Sequence, residues 1–191
     1  MEEDSITLNH RQIIEAREQS VLKSMDTDHV IFREARTAGK AMVVMCSDGR
    51  YTADTLLYLR AMTADADLHL FAFHGGALNL ASGLSLIEPG STLKDDLLRM
   101  IMVAHNKMRY SVLINICHGP DCKALTTRGH NINEAFDHYL TVPSEVAWYV
   151  PGVRAYTLFH RNKGEKINRL YEFCGQTWQR TRQRLPVMSQ V

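Results

Sequence analysis

The sequence predicts an α/β fold in which a mostly parallel central sheet is flanked by helices. Two short, continuous apolar runs, Ala41–Met45 and Val112–Ile116, are typical of strands that are covered on both faces. Segments with helical periodicity alternate with such runs, as in βαβ units. The chain has 191 residues, of which 45% are hydrophobic. That length is enough for one substantial core, and we expect a single domain over residues 1–191.

Residues 1–39 are predicted to form a helical N-terminal arm. Asp4 or Ser5 can cap the first helix. Apolar residues recur after these caps at roughly helical spacing, at Ile6, Ile13, Ile14, Val21 and Leu22. A second helix is expected over Asp28–Ala38, with Gly39 as its stop. Amphipathic helices of this kind pack either on their own domain or across a partner subunit, and the sequence leaves both arrangements open.

The middle and the end of the chain are predicted to alternate between strands and helices. We expect strands over about Ala41–Met45, Leu68–Phe73, Tyr110–Ile116 and Val153–Phe159. Helices are expected over about Ala53–Met62, from near Thr92 to Met108, and over about Ile132–Tyr139. Asp95 stands three residues after Thr92, as a variant of the capping box. A C-terminal helix is predicted from an apolar stripe at Ile167, Leu170, Tyr171, Cys174 and Trp178.

Composition excludes several classes of partner. The formal net charge is +1, so no strong field favours nucleic acid or an anionic membrane. The sequence contains no apolar run of the length that a membrane span needs. The acidic start Met1–Asp4 lacks the apolar stretch of a secretory signal. Four scattered cysteines are too few for a disulfide framework. We therefore expect a cytoplasmic protein with no nucleic-acid or membrane partner.

Soft metal ligands stand at the ends of the predicted strands. Cys46 follows the first strand, His74 follows the second, and Cys117, His118 and Cys122 follow the third. In open α/β sheets, ligands bind outside the carboxyl ends of the strands. Zinc takes cysteine and histidine in a tetrahedral shell, and a catalytic site keeps one position for water. Two cysteines, one histidine and one water would satisfy this rule, so the sequence predicts a zinc site.

Two segments resemble the motifs of the β-class carbonic anhydrases. Cys46–Arg50 is similar to the Cys-x-Asp-x-Arg motif of that family. Ile116–Leu125 is similar to its second element, in which a strand ends in Gly-His-x-x-Cys-Gly. The resemblance extends in order over about Ala41–Glu165. It implies the β-class fold and one Zn²⁺ per chain, held by Cys46, His118 and Cys122.

The resemblance also implies an activity and a set of roles. The reaction would be the reversible hydration of carbon dioxide to bicarbonate by zinc-bound hydroxide. Asp48 would accept a hydrogen bond from the zinc-bound water, and Arg50 would pair with Asp48 and keep it ionised and oriented. The family is built on dimers, in which helical N-terminal arms cross between subunits. We therefore expect a homodimer or a dimer of dimers.

The sequence departs from the family pattern at three places. His118 lies four residues before Cys122, whereas the family histidine lies three residues before it. A longer loop would still bring His118 to the metal, and Cys117 or His74 would otherwise be the third ligand. The turn after the second strand reads His74–Asn79 and lacks the family arginine, and Lys123 replaces the usual glycine.

These departures leave two alternative functions open. A zinc hydrolase of a molecule like carbon dioxide, such as carbonyl sulfide or carbon disulfide, is one alternative. An inactive zinc-binding homologue with a regulatory or structural role is the other. A thiol redox protein is disfavoured, because the sequence has no Cys-x-x-Cys.

Overall fold

The structure of the chain is a computed structural model, which describes residues 11–13, 15, 22–24, 28–81, 92–119, 122–127, 132–161 and 169–173. The described strands are Leu22–Ser24 (β1), Lys40–Cys46 (β2), Asp67–Phe73 (β3), Val112–Gly119 (β4), Arg154–Arg161 (β5) and Arg169–Phe173 (β6). The described helices are Val30–Ala38 (α1), Gly49–Met62 (α2), Leu93–Met108 (α3), Lys123–Thr126 (α4) and Ile132–Tyr149 (α5). A 3₁₀ helix covers Gly76–Leu80.

The six strands form one sheet with the order β1-β6-β5-β4-β2-β3. The four neighbours β5, β4, β2 and β3 are parallel to one another. Strand β6 is antiparallel to β5, and β1 is antiparallel to β6. The predicted α/β class with a mostly parallel, helix-flanked sheet is therefore confirmed. No helix in the described part of the chain is long and apolar enough to cross a membrane.

The centre of the sheet is buried on both faces. Every residue of β4 is buried, and all residues of β2 after Lys40 are buried. Side chains that alternate along each strand belong to two different apolar clusters. Leu113 and Cys117 pack with α3 and α5, whereas Ile114 and Ile116 pack with α1 and α2. Helices on both faces explain why these strands read as continuous apolar runs.

The N-terminal arm is helical only in part. Helix α1 ends at Gly39, which has the left-handed φ of 67° expected of a C-terminal glycine. Residues 11–13 and 15 are helical as predicted, but Leu22 lies in β1 and pairs with Phe173 of β6. The prediction of a helix through Leu22 is therefore wrong. The predicted cap at Asp4 or Ser5 lies outside the described residues.

The prediction of a C-terminal helix is also wrong where the structure describes it. Leu170 and Tyr171 lie in β6, where they pair with His160 and Phe159 of β5. The other residues of the predicted stripe, Ile167, Cys174 and Trp178, lie outside the described part of the chain.

One helix cap and two helix boundaries also differ from the sequence prediction. The Thr92 hydroxyl donates a 2.7 Å hydrogen bond to Asp96 Oδ2, so the predicted capping pair with Asp95 is wrong. Helix α5 continues past the predicted end at Tyr139 to Tyr149 and contains Pro143. Helix α2 begins at Gly49, four residues earlier than predicted. Only Ser47 and Asp48 therefore separate β2 from α2.

Candidate metal centre

The carboxyl ends of β2 and β4 lie side by side at the point where the chain changes direction across the sheet. From β2 the chain moves to β3 on one side, and from β3 it returns to β4 on the other side. Such a switch point leaves a crevice outside the strand ends, where open α/β folds bind their ligands. Cys46 is the last residue of β2, and His118 is the next-to-last residue of β4.

The structure brings Cys46, His118 and Cys122 together as one buried group. Their ligand atoms all lie within 4.8 Å of one another. The exposed fractions of the three residues are 6%, 5% and 1%. A tetrahedral zinc site with metal–ligand distances of about 2.0 to 2.3 Å separates neighbouring ligand atoms by about 3.5 to 3.8 Å. The donor types, burial and mutual distances are therefore compatible with a zinc ion.

His118 lies inside a strand and not in a loop. Strand β4 continues to Gly119 because its pairing with β5 continues, as far as Gly119 opposite Arg161. The side chain of His118 falls on the same face as Ile116, since successive strand residues alternate. The four-residue spacing from His118 to Cys122 is accommodated after the strand end, and the sheet itself fixes the backbone of His118.

Cys122 is held at the start of the short helix α4. Its carbonyl accepts hydrogen bonds from the backbone N–H groups of Leu125 and Thr126, at 2.9 and 3.0 Å. The backbone N–H groups of Ala124 and Leu125 also donate to its sulfur and favour its ionised form. The backbone around Cys122 thus directs hydrogen-bond donors at a sulfur that would carry negative charge as a metal ligand.

The ionisation of the Cys46 thiol depends on that of the Cys122 thiol. A hydrogen bond from the Cys122 thiol, together with the His118 imidazole and the Gly75 backbone N–H, lowers the pKa of Cys46 to about 4 against the opposing effect of burial. The same thiol–thiolate hydrogen bond and burial raise the pKa of Cys122 well above its usual value. The hydrogen bond thus favours a pair of one thiolate and one thiol. A metal ion would displace the proton of the thiol, because cysteine ligates as a thiolate.

The turn after β3 packs closely against the end of β2. Gly75 and Gly76 both have left-handed φ values, of 84° and 52°. A Cβ atom on Gly76 would lie 2.4 Å from the backbone nitrogen of Cys46. The Asn79 side-chain amide donates to the carbonyls of His74 and Gly76, at 2.9 and 3.0 Å, and so fixes the turn. The two glycines therefore allow the turn to pass close to the end of β2.

Asp48 follows Cys46 by two residues, between β2 and α2. It is half-buried and immediately precedes α2. Its carbonyl accepts hydrogen bonds from the backbone N–H and the hydroxyl of Thr52, at 3.3 and 2.9 Å, which fixes its backbone at the start of the helix. Arg50 lies in the first turn of α2, and its side chain is outside the described part of the structure. The predicted pair between Asp48 and Arg50 stays a prediction.

Two cavities meet at Cys46 and Asp48. The inner cavity, of about 210 Å³ including open solvent, is lined by Met45, Cys46, Asp48, Thr55, Ile116, His118 and His160. The outer cavity, of about 730 Å³ including open solvent, is lined by Cys46, Ser47, Asp48, His74 and Lys123. A molecule could therefore reach the thiol group from the solvent, and a small apolar-sided space lies behind it.

The two alternative ligands lie apart from the metal group in the structure. Cys117 is buried in the cluster that packs with α3 and α5, and its thiol is hydrogen-bonded to Tyr139. Burial raises the pKa of Cys117 well above its usual value. His74 is exposed at the mouth of the outer cavity. Neither belongs to the group of ligand atoms formed by Cys46, His118 and Cys122.

Sequence reasoning missed three residues near the site. His160 and Thr55 line the inner cavity, and the Tyr139 hydroxyl contacts the thiol of Cys117. No spacing in the sequence marked them, because each reaches the site through sheet register or helix packing. For His160, the available signal was its position at the carboxyl end of a parallel strand, where ligands bind.

Comparison with known proteins finds no matching family model, no matching curated sequence and no matching solved structure. The likeness to the β-class carbonic anhydrases therefore rests on the residues of the two motifs. What the structure adds is the gathering of Cys46, His118 and Cys122 into one buried group that could hold a metal ion.

Proposed function

We propose that this chain binds one zinc ion through Cys46, His118 and Cys122 and catalyses the reversible hydration of carbon dioxide to bicarbonate. The observation that carries the proposal is the buried group of these three ligands, whose ligand atoms lie within 4.8 Å of one another at the switch point of the sheet. Asp48 lines both cavities together with Cys46, and the resemblance implies that it would orient the attacking water.

The number of ligands supports a catalytic site over a structural one. Structural zinc sites are closed by four protein ligands, whereas catalytic sites use three and leave one position open. Among the residues that the structure describes, the group of cysteine, histidine and carboxylate ligands at the site has three members. The two cavities that meet at Cys46 leave room for a fourth, non-protein ligand.

The residues around the site would each have a separate role in the reaction. A zinc ion held there would supply a water molecule that is nucleophilic near neutral pH, because the metal lowers the pKa of that water to about 7. Asp48 would accept its hydrogen bond and direct a lone pair towards the substrate. Met45 and Ile116 place apolar side chains beside Cys46 and Asp48. Arg50 would hold Asp48 ionised, as the resemblance implies.

We also propose that the protein is an oligomer and that it is located in the cytoplasm. The resemblance implies a homodimer or a dimer of dimers. The mass of the protein in solution at micromolar concentration tests this point, and a monomer would contradict it.

One experiment tests the metal and the reaction together. Zinc stoichiometry and stopped-flow carbon dioxide hydration are measured for the wild type and for Cys122→Ala, Cys117→Ala and Asp48→Asn. We expect one zinc per wild-type chain and hydration above the buffer rate. Cys122→Ala should lose both, while Cys117→Ala, a matched buried cysteine outside the metal group, should keep both. Asp48→Asn should keep zinc and lose about 100-fold or more in rate.

Zinc binding without hydration would refute the proposed reaction but not the metal site. The second candidate, hydrolysis of carbonyl sulfide or carbon disulfide, is favoured by one observation. Lys123 occupies the position at which the β-class motif has glycine. It lines the outer cavity together with His74. Different side chains lining the outer cavity would change which small molecule enters it. Turnover of either sulfur compound by a zinc-loaded protein that does not hydrate carbon dioxide would establish this candidate, and turnover of neither would indicate the inactive homologue.

A further inference from the structure

His160 lies directly beside His118 in the sheet. The parallel pairing of β4 with β5 places the two residues opposite one another. His160 is 1% exposed and falls on the same face of β5 as Leu158, which packs in the cluster with α1 and α2. Neighbouring strands lie about 4.8 Å apart, so the two imidazole rings emerge side by side from the same face of the sheet.

The two rings share the inner cavity with a buried hydroxyl. Thr55 of α2 is 1% exposed and lines this cavity together with His118 and His160. Among the described residues, the Thr55 hydroxyl has no hydrogen-bond partner. A buried hydroxyl without a partner costs free energy. The cavity has about 10 Å³ of space for the centre of a water molecule, which is about what one ordered water needs. The cavity thus brings a second imidazole and a hydroxyl to the side of His118.

We propose that His160 is a positioning residue for the metal ligand His118, which it holds through a cavity water that the Thr55 hydroxyl also binds. A histidine that binds a metal through one ring nitrogen donates its other ring N–H to a partner, and that partner fixes the tautomer and the orientation of the ring. His160 and the water supply this partner from the neighbouring strand. The inference rests on the metal site of the proposed function but is independent of the reaction.

Zinc affinity is the first test. Competition with a chromophoric chelator gives the dissociation constants of the wild type, His160→Ala, His160→Gln and Leu158→Ala. We expect His160→Ala to weaken zinc binding by about 10- to 100-fold. Glutamine retains a donor and an acceptor, so His160→Gln should recover most of the affinity. Leu158→Ala removes buried volume from the same face of β5 and should leave zinc affinity unchanged. Wild-type affinity in His160→Ala, or an equal loss in Leu158→Ala, would overturn the inference.

A second pair of variants keeps the inference testable if His160→Ala does not fold. Thr55→Val removes the hydroxyl and conserves shape, so it should weaken zinc binding. Thr63→Val is its control, because Thr63 is equally buried but its hydroxyl donates to the Leu59 carbonyl at 2.7 Å, outside the cavity. An unchanged affinity in Thr55→Val would contradict the role of the shared water.

Nuclear magnetic resonance supplies a readout that a purely structural role would not move. In the zinc-loaded wild type, long-range ¹H–¹⁵N spectra should show a ring N–H of His118 that exchanges slowly with solvent, and this exchange should accelerate in Thr55→Val and His160→Ala. Equal exchange rates in all proteins would refute the positioning role. A wild type that binds zinc but does not hydrate carbon dioxide would refute the proposed function and leave this inference standing. A wild type that binds no zinc would overturn both.

Discussion

Replacing Gly76 with alanine should displace Cys46 and so damage the metal site. The backbone of Gly76 has a φ of 52°, and an added Cβ atom would lie 2.4 Å from the nitrogen of Cys46 and 2.6 Å from the carbonyl carbon of Met45. Ordinary contact begins at 3.4 Å, so one backbone must move by about 1 Å. Both atoms belong to the buried strand β2 and cannot rotate away.

The size of the effect follows from two separable contributions. A left-handed backbone costs a residue with a Cβ atom about 1 to 2 kcal/mol. Overpacking a buried site adds about 1 to 3 kcal/mol. Gly76→Ala should therefore destabilise the metal-free protein by about 2 to 5 kcal/mol. Gly39→Ala is the matched control, because Gly39 has a φ of 67° and nothing within 4 Å of an added Cβ atom. It should lose only the first contribution.

Zinc affinity distinguishes damage to the site from general destabilisation. Ligand distances in a metal site must stay within about 0.2 Å of their ideal values, and a displacement of about 1 Å exceeds that limit. We expect Gly76→Ala to lose about 100-fold or more in zinc affinity, while Gly39→Ala binds zinc as the wild type does. Urea unfolding and chelator competition measure the two effects. Equal stability and equal affinity in the two variants would refute the close-approach argument.

Three further predictions concern the ionisable groups. Cys122→Ser should reduce zinc affinity strongly, whereas Cys117→Ser should not, as chelator competition will show; an equal loss in both would contradict the ligand assignment. Because the pKa of Cys122 is raised while that of Cys46 is lowered to about 4, zinc binding near neutral pH should release at least one proton and strengthen as pH rises. Calorimetry in buffers of different ionisation enthalpy measures this release, and a value near zero would show that both thiols are already ionised. Burial and the hydrogen bond to Asp67 raise the pKa of Tyr110 to about 12, so the stabilisation by neutral Tyr110 is full below pH 10 and is lost as pH rises to 12. Urea unfolding of Tyr110→Phe should show about 1 kcal/mol lower stability at pH 8 and a smaller loss between pH 10 and 12.

The strands at the centre of the sheet could be predicted because their side chains are buried on both faces. Val112–Ile116 and Ala41–Met45 read as continuous apolar runs, and each lies within an observed strand. The end of β4 could not be predicted in the same way. Cys117 and His118 interrupt the apolar pattern, yet pairing with β5 keeps them in the strand. Where a strand end carries chemistry, hydrophobicity underestimates the length of the strand.

Long-range pairing accounts for the clearest error. Leu170 and Tyr171 fit a helical stripe, but they lie in a strand that pairs with both β5 and β1. The partner in β5 is close in the chain, but the partner in β1 is about 150 residues away, so a local window contains only part of the pairing that decides between helix and strand. The same reason hid His160, whose position beside His118 depends on register and not on sequence spacing.

Register also explains how the three ligands gather despite the unusual spacing of the second motif. Two of them, Cys46 and His118, lie at the carboxyl ends of the neighbouring strands β2 and β4, which pair from Met42 to Val44. Only Cys122 depends on the segment after β4, and the donors at the start of α4 together with burial hold it in place. The position of each residue at a strand end or helix start therefore accounts for the group that could hold a metal ion better than the spacing between the motif residues does.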